Sequence, residues 1–226
     1  MEYGGENLKQ FIQNANLNTR NMKILFYNIA KAFLILRKNN IVHNDISPFN
    51  ILAESPEKVK IIDFTESFVC TQKYEDNQFP LYNPSKWNTE LYLSPELMSW
   101  YRMAGNINSL KYDPYKSSIF SIGLSILSSC GIDIKGLNYF GEFYDIHIME
   151  ILTISYNFVV KDSLRMISYK KLRKELQFAI DKKIKEFPYD FLKLTLRRML
   201  EVDIVERATF EKIYNDAKFN IDFKPI

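Results

Sequence analysis

Apolar residues recur along this chain first at helical spacing, then in short β-branched runs, then at helical spacing again. Thr19 to Lys38 reads as a long amphipathic helix, with Ile24, Ala32 and Leu36, flanked by Tyr27, Phe33 and Leu34, forming a broad apolar face. Asn39 and Asn40 stop it, because Asn readily takes the backbone conformations that close a helix. A shorter helix is predicted over Leu8 to Ile12. Ile41-Val42, Ile51-Leu52 and Val59 to Ile62 read as brief strands, the last two joined by a turn at Ser55-Pro56-Glu57-Lys58. Periodicity is then lost from Phe64 to Glu90, which predicts a long loop of the kind that usually carries function.

The pattern turns helical again at Pro95 to Tyr101. Ser117 to Ser129 is apolar almost all round and predicts a buried central helix. Phe143 to Ile154, Tyr169 to Lys185, Tyr189 to Leu200 and Thr209 to Ala217 are further helix candidates, while 163–168 suggests no definite element. The expected fold is mainly α with one small β-sheet near the front of the chain, an α+β arrangement.

Composition narrows this little. A chain of 226 residues, 46% hydrophobic and 25% charged, makes one large domain or two small ones with a full core. Thirty basic and 27 acidic residues give a net charge of +3, too balanced to point to nucleic acid as the partner. No run approaches the roughly 18 apolar residues of a membrane span, and the first residues carry no signal-peptide pattern. A cytoplasmic protein is the default expectation. Cys70 and Cys130, far apart in sequence, read as free thiols in a reducing compartment.

The polar segment between the first two strand runs changes the picture. Ile41-Val42-His43-Asn44-Asp45-Ile46-Ser47-Pro48-Phe49-Asn50 sets Asn50 five positions after Asp45, and Ile61-Ile62-Asp63-Phe64 adds a second Asp after a strand. A carboxylate to handle an acceptor hydroxyl, with an Asn and an Asp to hold magnesium, suits phosphoryl transfer. Asp45 and Asn50 also suit plain turn formation, and Asp63 suits capping the turn after its strand. His43 has no Cys or second His nearby and reads as a packed, hydrogen-bonded residue. The Lys-rich stretches at Lys170, Lys171, Arg173, Lys174 and at Lys182, Lys183, Lys185 are mixed with acids and read as solvated helix faces.

Taken in order, these motifs resemble the C-terminal lobe of a eukaryotic protein kinase over essentially the whole chain. His43-Asn44-Asp45 resembles the His-Arg-Asp catalytic loop and Asp63-Phe64-Thr65 the Asp-Phe-Gly magnesium loop. Thr89 to Glu96, with Ser94-Pro95-Glu96, resembles the substrate-side loop ending in Ala-Pro-Glu. Ser118 to Gly123 resembles the central helix Asp-x-Trp-Ser-x-Gly, and Arg207 falls where the family has its late Arg. The resemblance implies that Asp45 orients the acceptor hydroxyl and takes its proton, that Asn50 and Asp63 ligate Mg2+, and that Leu52 floors the adenine of ATP. It implies that Thr89 beside Asp45 favours a Ser/Thr acceptor on a protein substrate, and that Glu96 and Arg207 form a buried ion pair bracing the substrate-side loop.

Met1-Glu2-Tyr3-Gly4 resembles the linker between kinase lobes, so the backbones of Glu2 and Gly4 are expected to bond the adenine edge. On this reading residues 1–226 are a protein-kinase-like C-terminal lobe truncated at the hinge: 1–5 a hinge remnant, 41–63 the catalytic and magnesium loops, 64–96 the activation segment, and 97–226 a helical subdomain. No Gly-x-Gly-x-x-Gly occurs among the seven glycines, and no Val-Ala-x-Lys strand precedes the catalytic loop. The expectation is then that Met1 is an internal Met of a longer protein whose N-terminal lobe is the missing partner, or that the lobe was lost. Four substitutions lie inside the lobe: Asn44 for the Arg that pairs with a loop phosphate, Ser47 for the Lys that neutralises the transferred group, Thr65 for Gly, and Ser118 for the Asp that holds the catalytic loop.

Three readings stand at this point. One is a protein Ser/Thr kinase whose isolated, truncated chain is expected to be impaired or inactive and to bind ATP-magnesium weakly or not at all. Another is a pseudokinase that keeps the fold as a binding or scaffold module. The third is a small-molecule phosphotransferase with a kinase-like fold, against which Thr89, Ser94-Pro95-Glu96 and Arg207 argue.

Overall fold

The computed structural model describes residues 4–70, 90–102, 113–139 and 163–222. In chain order these form β1 (Glu6–Asn7), α1 (Leu8–Ala15), α2 (Thr19–Lys38), β2 (Ile41–Val42), β3 (Ile51–Ser55), β4 (Lys58–Ile61), β5 (Phe68–Val69), α3 (Pro95–Arg102), α4 (Pro114–Ser129), α5 (Ser163–Lys185), α6 (Asp190–Met199) and α7 (Phe210–Asp222). Single 3-10 turns span Pro48–Asn50 and Glu90–Tyr92. Glu2, Thr89 and the helix expected from Phe143 to Ile154 lie outside the described residues.

Helix ends follow local side-chain chemistry. Asn7 and Asn18 each accept a hydrogen bond from the backbone N–H three residues on, capping α1 and α2. Asn16 closes α1 with φ 42°, and Asn40 carries the chain out of α2 with φ 58°, a left-handed conformation that Asn tolerates better than most residues. Asp113 caps α4 through bonds from the N–H groups of Tyr115 and Lys116, and Pro114 fills the first position, where no N–H is needed.

α4 is the centre of the molecule. Every residue from Pro114 to Ser129 except Lys116 is buried. Burying its serines requires partners, and Ser118, Ser121, Ser125 and Ser129 each donate to the carbonyl four residues back. Gly123 permits the close approach of the chain after α6, since a Cβ there would stand 2.8 Å from the Leu200 side chain. α2 packs along α7, where Tyr27 and Tyr214 share a hydroxyl hydrogen bond of 3.1 Å and Phe33 stacks on Phe210.

Two small sheets replace the single one expected. β1, β3 and β4 form a three-stranded antiparallel sheet in the order β1-β3-β4, and β2 pairs antiparallel with β5. Two-residue strands leave no periodicity to read: Glu6–Asn7 is polar, and Phe68–Val69 lies inside the segment expected to be loop. Backbone pairing makes both, with Ile41 opposite Val69 and Glu6 opposite Ala53. Elsewhere α1 runs on to Ala15 and α7 to Asp222, while α5 begins at Ser163, within the stretch that suggested no element. Cys70 is buried and Cys130 half-buried, both as free thiols; burial pushes the Cys130 thiol up to about 12. Among the described residues no helix is long and apolar enough to cross a membrane.

Candidate functional site

The two sheets deliver two loops to one place. The first loop leaves β2 at Val42 and enters β3 at Ile51; the second leaves β4 at Ile61 and enters β5 at Phe68. Antiparallel pairing of β3 with β4 puts Ile51 opposite Ile61, so Asn50 and Asp63 emerge at the same sheet end.

The peptide of Ile62 clasps the loops together. Its N–H donates to the Asn50 carbonyl at 3.0 Å, and its carbonyl accepts from His43 Nε2 at 2.8 Å. His43 Nδ1 then faces the Asp45 N–H at 3.3 Å, which assigns the proton to Nε2. The imidazole is 2% exposed and packs against the Phe64 ring with centroids 4.9 Å apart. Burial lowers the His43 pKa, so the ring stays neutral and works as a connector.

Asn50 turns its amide nitrogen to Asp45, donating to the backbone carbonyl at 2.8 Å and to carboxylate Oδ2 at 3.0 Å. The donor end of the amide is thereby committed, and the acceptor oxygen is the end suited to a cation. Asp63 is exposed and adopts φ 60°. Its Oδ1 accepts from the Thr65 hydroxyl at 2.6 Å and from the Thr65 N–H at 3.4 Å. These bonds, the hydroxyl's first, hold the Asp63 carboxyl below the usual carboxylate range.

Among the described residues no cluster of three or more His, Cys, Asp or Glu is arranged to hold a metal alone. Mg2+ is commonly bound by one or two protein oxygens and completes its shell with phosphate and water. The hard oxygens of Asn50 and Asp63 fit that pattern. Gly4 lies against Leu52, since a Cβ there would stand 3.1 Å from Leu52 Cδ1, and β1 continues along β3 with Asn7 opposite Leu52. The two described residues expected at the adenine are therefore neighbours.

On the other side of Asp45 the segment 90–96 is anchored by buried polar contacts. Arg207 holds Glu96 bidentately, Nη1 to Oε1 at 2.8 Å and Nη2 to Oε2 at 3.2 Å, with both residues 1% exposed. The guanidinium also donates to the carbonyls of Glu201 and Lys116 and lies over the Phe120 ring. Ser94 and Ser117 share a hydroxyl hydrogen bond of 2.7 Å. Asn138, which the sequence did not single out, donates from its buried amide to the carbonyls of Glu90 and Leu93, at 2.9 Å each. It lies in a turn-rich stretch after α4, and no local pattern announces contacts 48 and 45 positions away.

Three of the substituted positions have distinct surroundings. Asn44 takes φ 68°, and its Nδ2 is buried without a hydrogen-bond partner among the described residues. Ser47 is 1% exposed and its Oγ is likewise unpartnered. Ser118 lines a cavity of about 20 Å³ with Asn44, Asp45 and Ser121, and its hydroxyl donates to Pro114 of its own helix.

A helical domain thus carries two apposed loops that bring Asp45, Asn50 and Asp63 to one end of the small sheets. The protein kinase domain model matches residues 1–219, and the chain belongs to that family. It is 26% identical over 213 residues to mitogen-activated protein kinase 11 of Oryza sativa subsp. japonica, covering 92% of this chain and 35% of that protein. Mitogen-activated protein kinase 12 of the same plant is 26% identical over 223 residues, covering 94% of this chain and 36% of its own length. Mitogen-activated protein kinase 9 is 27% identical over 213 residues, covering 91% and 28%. The chain spans about a third of the length of the first two relatives.

Proposed function

We propose that this chain supplies the base-and-magnesium half of an ATP-dependent protein Ser/Thr kinase site. Asp45 is the group that orients the acceptor hydroxyl and takes its proton. Asn50 and Asp63 hold Mg2+, and Gly4 and Leu52, with Glu2, receive the adenine. Bound magnesium would neutralise the phosphate oxygens of ATP and orient the transferred group. Thr89 contributes on the acceptor side, and the Glu96–Arg207 pair braces the loop that receives the protein substrate. Residues 41–63 would be the catalytic and magnesium loops, 64–96 the activation segment and 97–226 the helical subdomain, with an N-terminal lobe completing the nucleotide cradle.

One observation carries the proposal: Asn50 bonds Asp45 while the Ile62 peptide ties both loops together beside Asp63. The test is phosphate transfer from ATP-magnesium to a mixed Ser/Thr acceptor by a form of the protein that carries an N-terminal lobe and by its Asp45→Ala variant. Transfer lost in a variant that still melts cooperatively is the expected result; an active, folded Asp45→Ala protein overturns it.

A second reading, a kinase fold kept as a binding module, is favoured by Ser47. A side chain 1% exposed does not reach a phosphoryl group, so the charge that a Lys would supply there is lacking. A wild-type protein that transfers no phosphate, yet binds a partner through this face, supports that reading.

A further inference from the structure

The geometry points to Thr65 as a positioning residue that pre-orients the Asp63 carboxylate for a divalent cation, an inference that rests on the proposed cation site. Asp63 is exposed, so packing does not fix its side chain, and its left-handed backbone is one that few residues other than glycine hold at low cost. What fixes it is Thr65. The hydroxyl and the N–H of this one residue both donate to the same oxygen, Oδ1, at 2.6 and 3.4 Å.

Two consequences follow from that bracket. Oδ1 is occupied from the loop side, which leaves Oδ2 as the oxygen that a cation takes. The carboxylate is also held in one orientation before any ion arrives, so less side-chain freedom is lost on binding. Hydrogen bonds that orient a metal ligand act in this way elsewhere, and their loss costs about 10–100-fold in affinity.

Threonine suits the task better than the other residues able to make the bond. Its β-branch restricts the first side-chain torsion, which keeps the hydroxyl over Oδ1. A glycine would keep the N–H bond to Oδ1 but give neither the hydroxyl nor the restriction, and would hold Asp63 less firmly. The residue that departs from the Asp-Phe-Gly pattern thus contributes order to the cation ligand in this chain.

The experiment is a titration with Mn2+ alone, followed by paramagnetic broadening of the Asn50 side-chain amide and Asp63 backbone amide resonances. Wild type is compared with Thr65→Val, which keeps the shape and removes the hydroxyl, and with Thr65→Ser, which restores it; Thr65→Ala substitutes where Val disturbs folding. The expected result is a midpoint raised about tenfold in Thr65→Val, with most of the affinity returned in Thr65→Ser. A purely structural role would shift the melting temperature and leave the midpoint of the folded protein alone. Equal midpoints in wild type and Thr65→Val overturn the inference while the cation site stands. A wild-type protein with no broadening at Asn50 or Asp63 overturns the cation site, and the role of Thr65 with it.

Discussion

The Asn50 amide spans both polar groups of Asp45, donating to its backbone carbonyl and to its carboxylate Oδ2. One side chain therefore sets where the proposed base points and also offers the oxygen proposed for the cation. Asn50→Ala breaks a charge-assisted bond and leaves the Asp45 carbonyl with one donor fewer. Unfolding by urea should show a loss of about 1–3 kcal/mol, a cost that an ordinary exposed loop residue would not carry.

Glu96 and Arg207, 111 positions apart, form a buried charge pair beneath the segment 90–96. Removing one partner leaves the other charge buried. Glu96→Gln and Arg207→Met should each destabilise by about 3–5 kcal/mol, and the double variant by clearly less than the sum. Additive losses in a double-mutant cycle would contradict the coupling.

Asn138 should act as a clamp on residues 90–93. Asn138→Leu keeps the volume and deprives two carbonyls of their donor, at a cost of about 1–3 kcal/mol. Hydrogen exchange should quicken first at Leu93, whose N–H bonds the Glu90 carbonyl within the clamped turn. Uniform acceleration across the protein would assign the effect to global stability instead.

His43 predicts a pH dependence of defined sign. Burial lowers its folded-state pKa below the ordinary value of 6.5, so the unfolded chain binds the proton more readily. Its contribution is fully present above about pH 6.5 and is lost as pH falls from there through the folded-state pKa. The stability difference between wild type and His43→Gln should therefore shrink on acidification, as read by urea melts at stepped pH. A difference constant from pH 7.5 to 5 would contradict the assignment.

The fold was legible where burial imposes a period. α2 has the bounds that the apolar face and the Asn39–Asn40 stop predict, and α4 is buried on all sides as its composition requires. β1 and β5 were not legible, because two residues held by backbone bonds carry no side-chain pattern. For the site, the spacing of Asp45, Asn50 and Asp63 suggested the chemistry, but the Ile62 clasp belongs to main-chain atoms that any residue except proline would supply. Asn138 was invisible for the same reason, since its acceptors are carbonyls. In the sequence Thr65 stood only as a substitution for Gly, whereas the structure gives its hydroxyl a partner in Asp63.

The central claim is that Asn50 and Asp63 hold a divalent cation beside Asp45. It is tested most directly by adding ADP with Mn2+ and mapping which resonances broaden in wild type and in Asp63→Ala. The account predicts broadening centred on Asn50 and Asp63 in wild type and its loss from Asn50 in the variant. Broadening centred elsewhere, or unchanged at Asn50 in a folded Asp63→Ala protein, would contradict it.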